Sequence, residues 1–167
     1  MHRKADGDDV FMREALRTAR RAGERGEVPV GAVVVRNGKI LARGANSPVS
    51  RRDPTAHAEI VAIRKASRKM RNYRLMDCDL YVTLEPCPMC LGAIVQARIR
   101  RLVYGAADPK AGAVSSVLVF PFDRVNHRPE ITAGVLEAEC GILLKEFFRG
   151  KRRKRPGPPG EEGPFQV

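Results

Sequence analysis

The stretch Asp79-Leu80-Tyr81-Val82-Thr83-Leu84-Glu85-Pro86-Cys87-Pro88-Met89-Cys90 decides the fold. Its first half, Asp79–Leu84, reads as a strand that stops at Pro86, and a helix is predicted from about Pro88 to Ala97, because proline suits a helix's first turn but not a strand interior. Working outward, Arg101–Tyr104 reads as a further strand, and Pro54 just ahead of Ala56–Ser67 predicts a helix there. Farther upstream, Val30–Val35 and Lys39–Gly44 flank Asn37-Gly38, a hairpin signal because both turn residues tolerate positive φ. An opening helix is expected from about Asp9 to Gly23, with Phe11, Met12, Ala15, Leu16, Ala19 and Ala22 at helical spacing, Asp8 or Asp9 as cap and Gly23 as stop. A loop is expected from Asn46 to Thr55, a short edge strand over Glu130–Thr132 and a last helix over Ala133–Phe148. Residues 105–128 are rich in small and turn residues and predict no regular element.

Strands alternating with helices after an opening hairpin imply an α/β fold, a mixed sheet with helices on both faces. The length of 167 residues fits one domain. That domain is expected over residues 1–153, with 154–167, which holds several Pro and Gly and little to bury, expected to be a disordered basic tail.

Hydrophobic residues make up 43% of the chain and charged ones 30%, a soluble, globular balance. No apolar run is long enough to span a membrane, and the charged start has no apolar stretch after it, so neither an anchor nor a secretory signal is expected. A cytoplasmic location follows, where thiols stay reduced, so the close Cys87/Cys90 pair points to metal chemistry rather than a disulfide. The net charge of +12 favours a polyanionic partner. Six positive side chains lie between Arg149 and Arg155, but most of the excess lies on the body, as expected of an extended binding face for nucleic acid.

His57-Ala58-Glu59 stands at one predicted helix start and Cys87-Pro88-Met89-Cys90 at another. Catalytic zinc sites typically use three protein ligands and leave the fourth position for water; His57, Cys87 and Cys90 would be those three. Helix N-termini favour anions, which lowers the cost of two thiolates. Two thiolates and a neutral imidazole cancel the ion's charge, yet it can still acidify water from a pKa near 16 toward roughly 7. Glu59 is the candidate proton carrier beside it. On an ideal helix, residues two apart point about 200° apart, so His57 and Glu59 must reach one point by different routes, from an irregular first turn. Cys78, Cys140, His2 and His127 are the other possible ligands; the two cysteines are expected to be buried and unreactive.

The pattern His57-Ala58-Glu59 with Pro86-Cys87-Pro88-Met89-Cys90 resembles the zinc deaminase signature. Glu27–Val33, Asp53–Glu59, Asn72–Leu75, Tyr81–Cys87, Asn126–Arg128 and Phe147–Arg149 look like bacterial tRNA-specific adenosine deaminases, members of the cytidine/deoxycytidylate deaminase superfamily. The resemblance covers about Val10 to Arg153 and departs between Ser116 and Asn126, where Phe120-Pro121-Phe122 stands. It implies a cytidine-deaminase-like α/β/α fold in three layers around a central mixed five-stranded sheet, one Zn2+ per subunit, a homodimer, and hydrolysis of adenosine to inosine at the wobble position of an arginine tRNA. In that reaction a zinc-held hydroxide would attack adenine C6 while Glu59 relays protons. The resemblance also implies that Asn46 hydrogen-bonds the base. It puts Val28, Pro29 and Ala58 at the pocket and Asp108 near the substrate backbone. Phe148, Arg149, Lys151, Arg152 and Arg153 would meet the anticodon stem-loop. Two rivals stand beside this: a deaminase of a free purine such as guanine, and a zinc-containing RNA-binding subunit without catalysis, against which Glu59 speaks.

Overall fold

The computed structural model describes residues 3–154. Its elements run α1 (Arg3–Glu24), β1 (Gly31–Arg36), β2 (Lys39–Ala45), α2 (Pro48–Arg51), α3 (Ala58–Met70), β3 (Cys78–Leu84), α4 (Pro88–Gln96), β4 (Arg101–Ala106), β5 (Glu130–Thr132) and α5 (Glu137–Lys154). The five strands form one sheet in the order β2-β1-β3-β4-β5. β1 pairs antiparallel with β2 and β3, while β3–β4 and β4–β5 are parallel, so the sheet is mixed, as expected. The β1–β2 hairpin turns on Asn37 and Gly38, whose φ values of 50° and 70° match the turn that Asn-Gly favours. The parallel β3–β4 pair needs a crossover, and α4 supplies it.

Alternation along the strands divides the apolar side chains between two layers. Ala32, Val34, Leu80, Val82, Leu102 and Tyr104 face one cluster, shared with Ala62 of α3 and with Leu91 and Ile94 of α4. Val33, Val35, Tyr81 and Val103 face the other, with Met12, Ala15 and Leu16 of α1 and Cys140 of α5. A helix layer thus covers each face. Leu80, Leu91, Ile94 and Leu102 are fully buried, each such side chain contributing about 1.5–3 kcal/mol. Cys78 and Cys140 are buried in this packing.

Two glycines set how closely the helices lie on the sheet. A Cβ at Gly44 would stand 2.1 Å from the Ala58 carbonyl oxygen and 2.5 Å from the Ala62 nitrogen, so α3 rests directly on β2. Gly31 does the same for α1, with Ala15 O at 2.1 Å from the position of a Cβ.

The chain departs from sequence expectation at several ends. Asp8 lies inside α1 rather than capping it, and the helix passes Gly23 to Glu24. The expected loop 46–55 holds the one-turn helix α2, with Pro48 in its first turn. The last helix starts at Glu137 instead of Ala133, because Gly134 (φ 80°) and Leu136 (φ 51°) reverse the chain first. It continues past Phe148 to Lys154, where basic residues suit a helix C-terminus. Residues 155–167, the bulk of the segment expected to be disordered, lie outside the described residues, as does His2. Among the described residues no helix is long and apolar enough to cross a membrane.

Candidate active site

Two helix starts converge on one point from the same layer. His57 is the N-cap of α3, with extended backbone (φ −68°, ψ 154°), and Cys87 is the N-cap of α4 (φ −76°, ψ 170°). An N-cap residue lies half outside its helix, which resolves the angular conflict between His57 and Glu59: only Glu59 follows the helical rotation. Cys90 follows within the first turn of α4.

The Nδ1 of His57 lies 3.6 Å from Cys87 Sγ and 3.5 Å from Cys90 Sγ. All three donor atoms fall within 4.8 Å of one another, and no other His, Cys, Asp or Glu joins them among the described residues. A tetrahedron with zinc–sulfur and zinc–nitrogen bonds of ~2.3 and ~2.0 Å has S···N edges of about 3.5 Å. The observed spacings match, so the donor set fits a metal ion. His127 is committed elsewhere, its Nε2 2.7 Å from the Ile99 carbonyl oxygen.

The electrostatics suit that use. The Cys90 thiol, against the opposing effect of burial, and the His57 imidazole pull Cys87 down to about 4. Cys90, hydrogen-bonded to that thiolate and buried, is pushed up, so the pair shares one proton. His57 rises through its contact with Cys87. Glu59, 4% exposed, is pushed up to about 7 by burial. A carboxyl poised near neutrality next to potential metal ligands can both take and give a proton.

A cavity of about 200 Å³ opens over this group, lined by Val28, Val30, Asn46, His57, Glu59, Leu84, Glu85, Cys87, Asp108 and Ala111. Two larger hollows of about 630 Å³ flank it. One shares Val28, Leu84 and Asp108 with the cavity and adds Lys110, Phe148, Arg149 and Arg152; the other shares Val28 and Asn46 and adds Phe148, Lys151 and Arg152. The C-terminal part of α5 thus walls both approaches. Lys110 places its ammonium 5.8 Å from the Phe148 ring centre, tying the loop after β4 to that helix.

The structure therefore brings Val28, Asn46, His57, Glu59, Cys87 and Asp108 to one cavity. Ala58 is buried in the core beneath it. Pro29 lines a separate hollow with Gly23, Leu143 and Phe147, and Arg153 is exposed on α5. Two carboxylates that sequence reasoning left without a role stand out. Glu27, 3% exposed, accepts the Val49 and Ser50 backbone N–H groups at 3.3 and 2.7 Å, anchoring α2 beside Asn46. Glu85, 2% exposed, gathers the loop after β4. Burial would raise Glu85, but hydrogen bonds from Ser116, Ser115 and Asp108 hold it below the usual carboxylate range. Its only sequence signal was an acid just after an apolar strand, which says nothing of its partners.

The family model described as MafB19-like deaminase matches residues 6–152. The tRNA-specific adenosine deaminase of Agrobacterium fabrum is 52% identical over 143 residues, 85% of this chain and 94% of the relative. The chain belongs to the tRNA-specific adenosine deaminase family. The Bacillus subtilis member is 46% identical over 149 residues, 89% of this chain and 92% of its own. Among solved structures, a tRNA:A34 deaminase studied for A-to-I editing at the wobble position superposes with a TM-score of 0.78 and 51% identity, covering 81% of this chain and 99% of that one. A guanine deaminase from Nitrosomonas europaea shares the fold at a TM-score of 0.72 and 26% identity, over 83% of each chain. The five-stranded mixed sheet with its helix layers is the fold of this family.

Proposed function

We propose that this protein is a zinc-dependent hydrolase that converts adenosine to inosine at the wobble position of tRNA, with an arginine tRNA as the expected substrate. The observation that carries it is the cavity: one buried carboxyl, Glu59, beside a His57–Cys87–Cys90 group spaced for a metal, in a space suited to a single base. At about 200 Å³ the cavity is smaller than the ~300–1,000 Å³ typical of drug-sized ligands.

His57, Cys87 and Cys90 would hold the zinc, which supplies Lewis-acid activation of water near neutral pH. Glu59 would take one proton from the attacking water and deliver it to the ring nitrogen of adenine, then take the water's second proton as the C6 carbonyl forms and give it to the departing amine, which leaves as ammonia. A carboxyl near pKa 7 exchanges protons in both directions at little cost. Asn46, 9% exposed at the cavity wall, would read the base edge, and Val28 and Leu84 would exclude water. A base from an anticodon loop is already partly unstacked, so extruding it costs less than from a duplex.

The basic hollows separate this from the free-purine alternative. A free base would need only the cavity, whereas Lys110, Arg149, Lys151 and Arg152 line the approaches, where a polynucleotide would continue on both sides. A homodimer and a cytoplasmic location are the accompanying expectations.

The test is inosine formation by the zinc-loaded protein on an arginine tRNA anticodon stem-loop, with free adenosine and guanine in parallel. Inosine in the stem-loop alone supports the proposal; turnover of a free base instead transfers the protein to nucleobase metabolism. Replacing Lys151, Arg152 and Arg153 with alanine should weaken stem-loop binding and reduce its salt slope by about two units if all three meet phosphates. An unchanged slope assigns them to a solvated surface.

A further inference from the structure

Glu85 directly follows β3, between Leu84, which lines the cavity with it, and Pro86-Cys87. All its acceptor contacts go to one loop. Oε1 accepts the backbone N–H groups of Val114 at 3.0 Å, Ser115 at 2.8 Å and Ser116 at 3.1 Å. Oε2 accepts the Asp108 N–H at 3.0 Å and the Ser116 hydroxyl. A carboxylate offers about four lone-pair sites, so this one is saturated. The loop in turn has few other partners for these N–H groups, which do not pair with any strand and would cost free energy if left unmet. Gly112 fits the same packing: a Cβ there would stand 2.4 Å from Glu85 Oε2 and 2.6 Å from the Asp108 carbonyl oxygen. The segment so held contributes Asp108 and Ala111 to the cavity wall.

Resting on the deamination proposed above, we propose that Glu85 is a positioning residue: its carboxylate draws residues 108–116 together as one wall of the cavity and thereby sets affinity for the substrate strand rather than the rate of the chemical step. Glu85 itself borders the cavity, but its carboxylate oxygens are taken up by the loop and it is not among the candidate metal ligands. It acts through the backbone of Asp108. Replacing it with glutamine keeps the volume but turns an NH2 toward a cluster of N–H donors, so the wall should loosen while α3 and α4 keep their places.

The experiment compares wild type, Glu85→Gln, Gly112→Ala and the double variant, all zinc-loaded, on the anticodon stem-loop. Glu85→Gln should raise KM about tenfold with kcat changed by no more than roughly threefold, the pattern of a lost binding contribution. Amide hydrogen exchange at Asp108 and Val114–Ser116 should accelerate while that of β3 and β4 holds, and zinc content should stay at the wild-type value. Gly112→Ala, which crowds the same contact from the loop side, should move KM and exchange in the same direction, and the double variant should be clearly less than additive. A fall in kcat with KM unchanged, additive effects, or faster loop exchange with wild-type KM each overturn the proposal. Should Glu85→Gln fail to fold, Gly112→Ala decides by the same two readouts. Stem-loop binding by fluorescence anisotropy keeps the two claims separate. A wild type that binds but forms no inosine overturns the functional reading, and the affinity of the variants still decides the role of Glu85.

Discussion

Asp8 and Arg101 on one face of the sheet, and the His57–Glu59–Cys87–Cys90 group on the other, are both clusters of ionisable side chains set largely within the fold, yet only the first pairs opposite charges. Arg101 donates two hydrogen bonds to the Asp8 carboxylate at 2.7 and 2.6 Å and a third to the Thr132 hydroxyl at 2.9 Å. The Tyr81 hydroxyl donates to Asp8 at 2.7 Å. Opposite charges meet at close range, and Asp8 raises Arg101 further into its charged form. This group ties α1 to β3, β4 and the edge strand β5. On the far face, a carboxyl and three soft donors lie together beside a cavity, and burial works against the charge on Glu59. Matched buried charges hold elements together; unmatched ones at a cavity are available for chemistry.

That contrast can be broken by experiment. The largest effect should come from Glu59→Ala. Inosine formation should fall by about 10²–10⁴-fold, the usual contribution of general acid–base catalysis, with zinc content, stem-loop binding and melting temperature retained. If it destabilises the protein as severely as loss of Asp8, the two clusters do not differ in kind. Asp8→Ala should do the reverse. It strands a buried guanidinium and should lower unfolding free energy by about 3–5 kcal/mol, read by urea denaturation, while the folded fraction keeps wild-type kcat. A loss below about 1 kcal/mol would place the pair among surface-like contacts.

The smallest effect sharpens the rule at Glu27, a matched carboxylate beside the cavity. Burial would raise its pKa, but the N–H groups of Ser50 and Val49 outweigh this and lower it. A lowered folded pKa contributes stability above the unfolded value and loses it as pH falls through the folded one. Glu27→Gln should therefore cost about 1 kcal/mol near neutral pH and flatten the decline in stability below about pH 4.5. An acid limb identical to wild type would show that α2 is held by something other than this charge.

Much of the fold was legible because local signals were strong. Asn37-Gly38, the alternating strands and Pro88 at the start of α4 each carry their own backbone preference. The start of α5 was not, because positive φ at Leu136 is imposed by the return of the chain over β4 and has no residue signature. α2 is a single turn, too short for a period to show. At the site, the donor types and their spacing were plain, but the cap positions that let His57 and Glu59 share a point were not. Glu85 was invisible as an organiser because its partners lie 23 to 31 residues away in a stretch whose sequence predicts no element.

Gly44 carries a consequence for how this protein can vary. α3 sits against β2 where a side chain is missing, with the Ala58 carbonyl 2.1 Å from where a methyl would be. The height of the first turn of α3, and so of Glu59, is fixed by an empty position in a neighbouring strand. Random mutagenesis screened for lost editing should therefore return glycine codons in the hairpin alongside the reactive residues. Transplanting the His-x-Glu and Cys-x-x-Cys segments onto another α/β scaffold would fail unless the bare spot beneath the helix were transplanted with them.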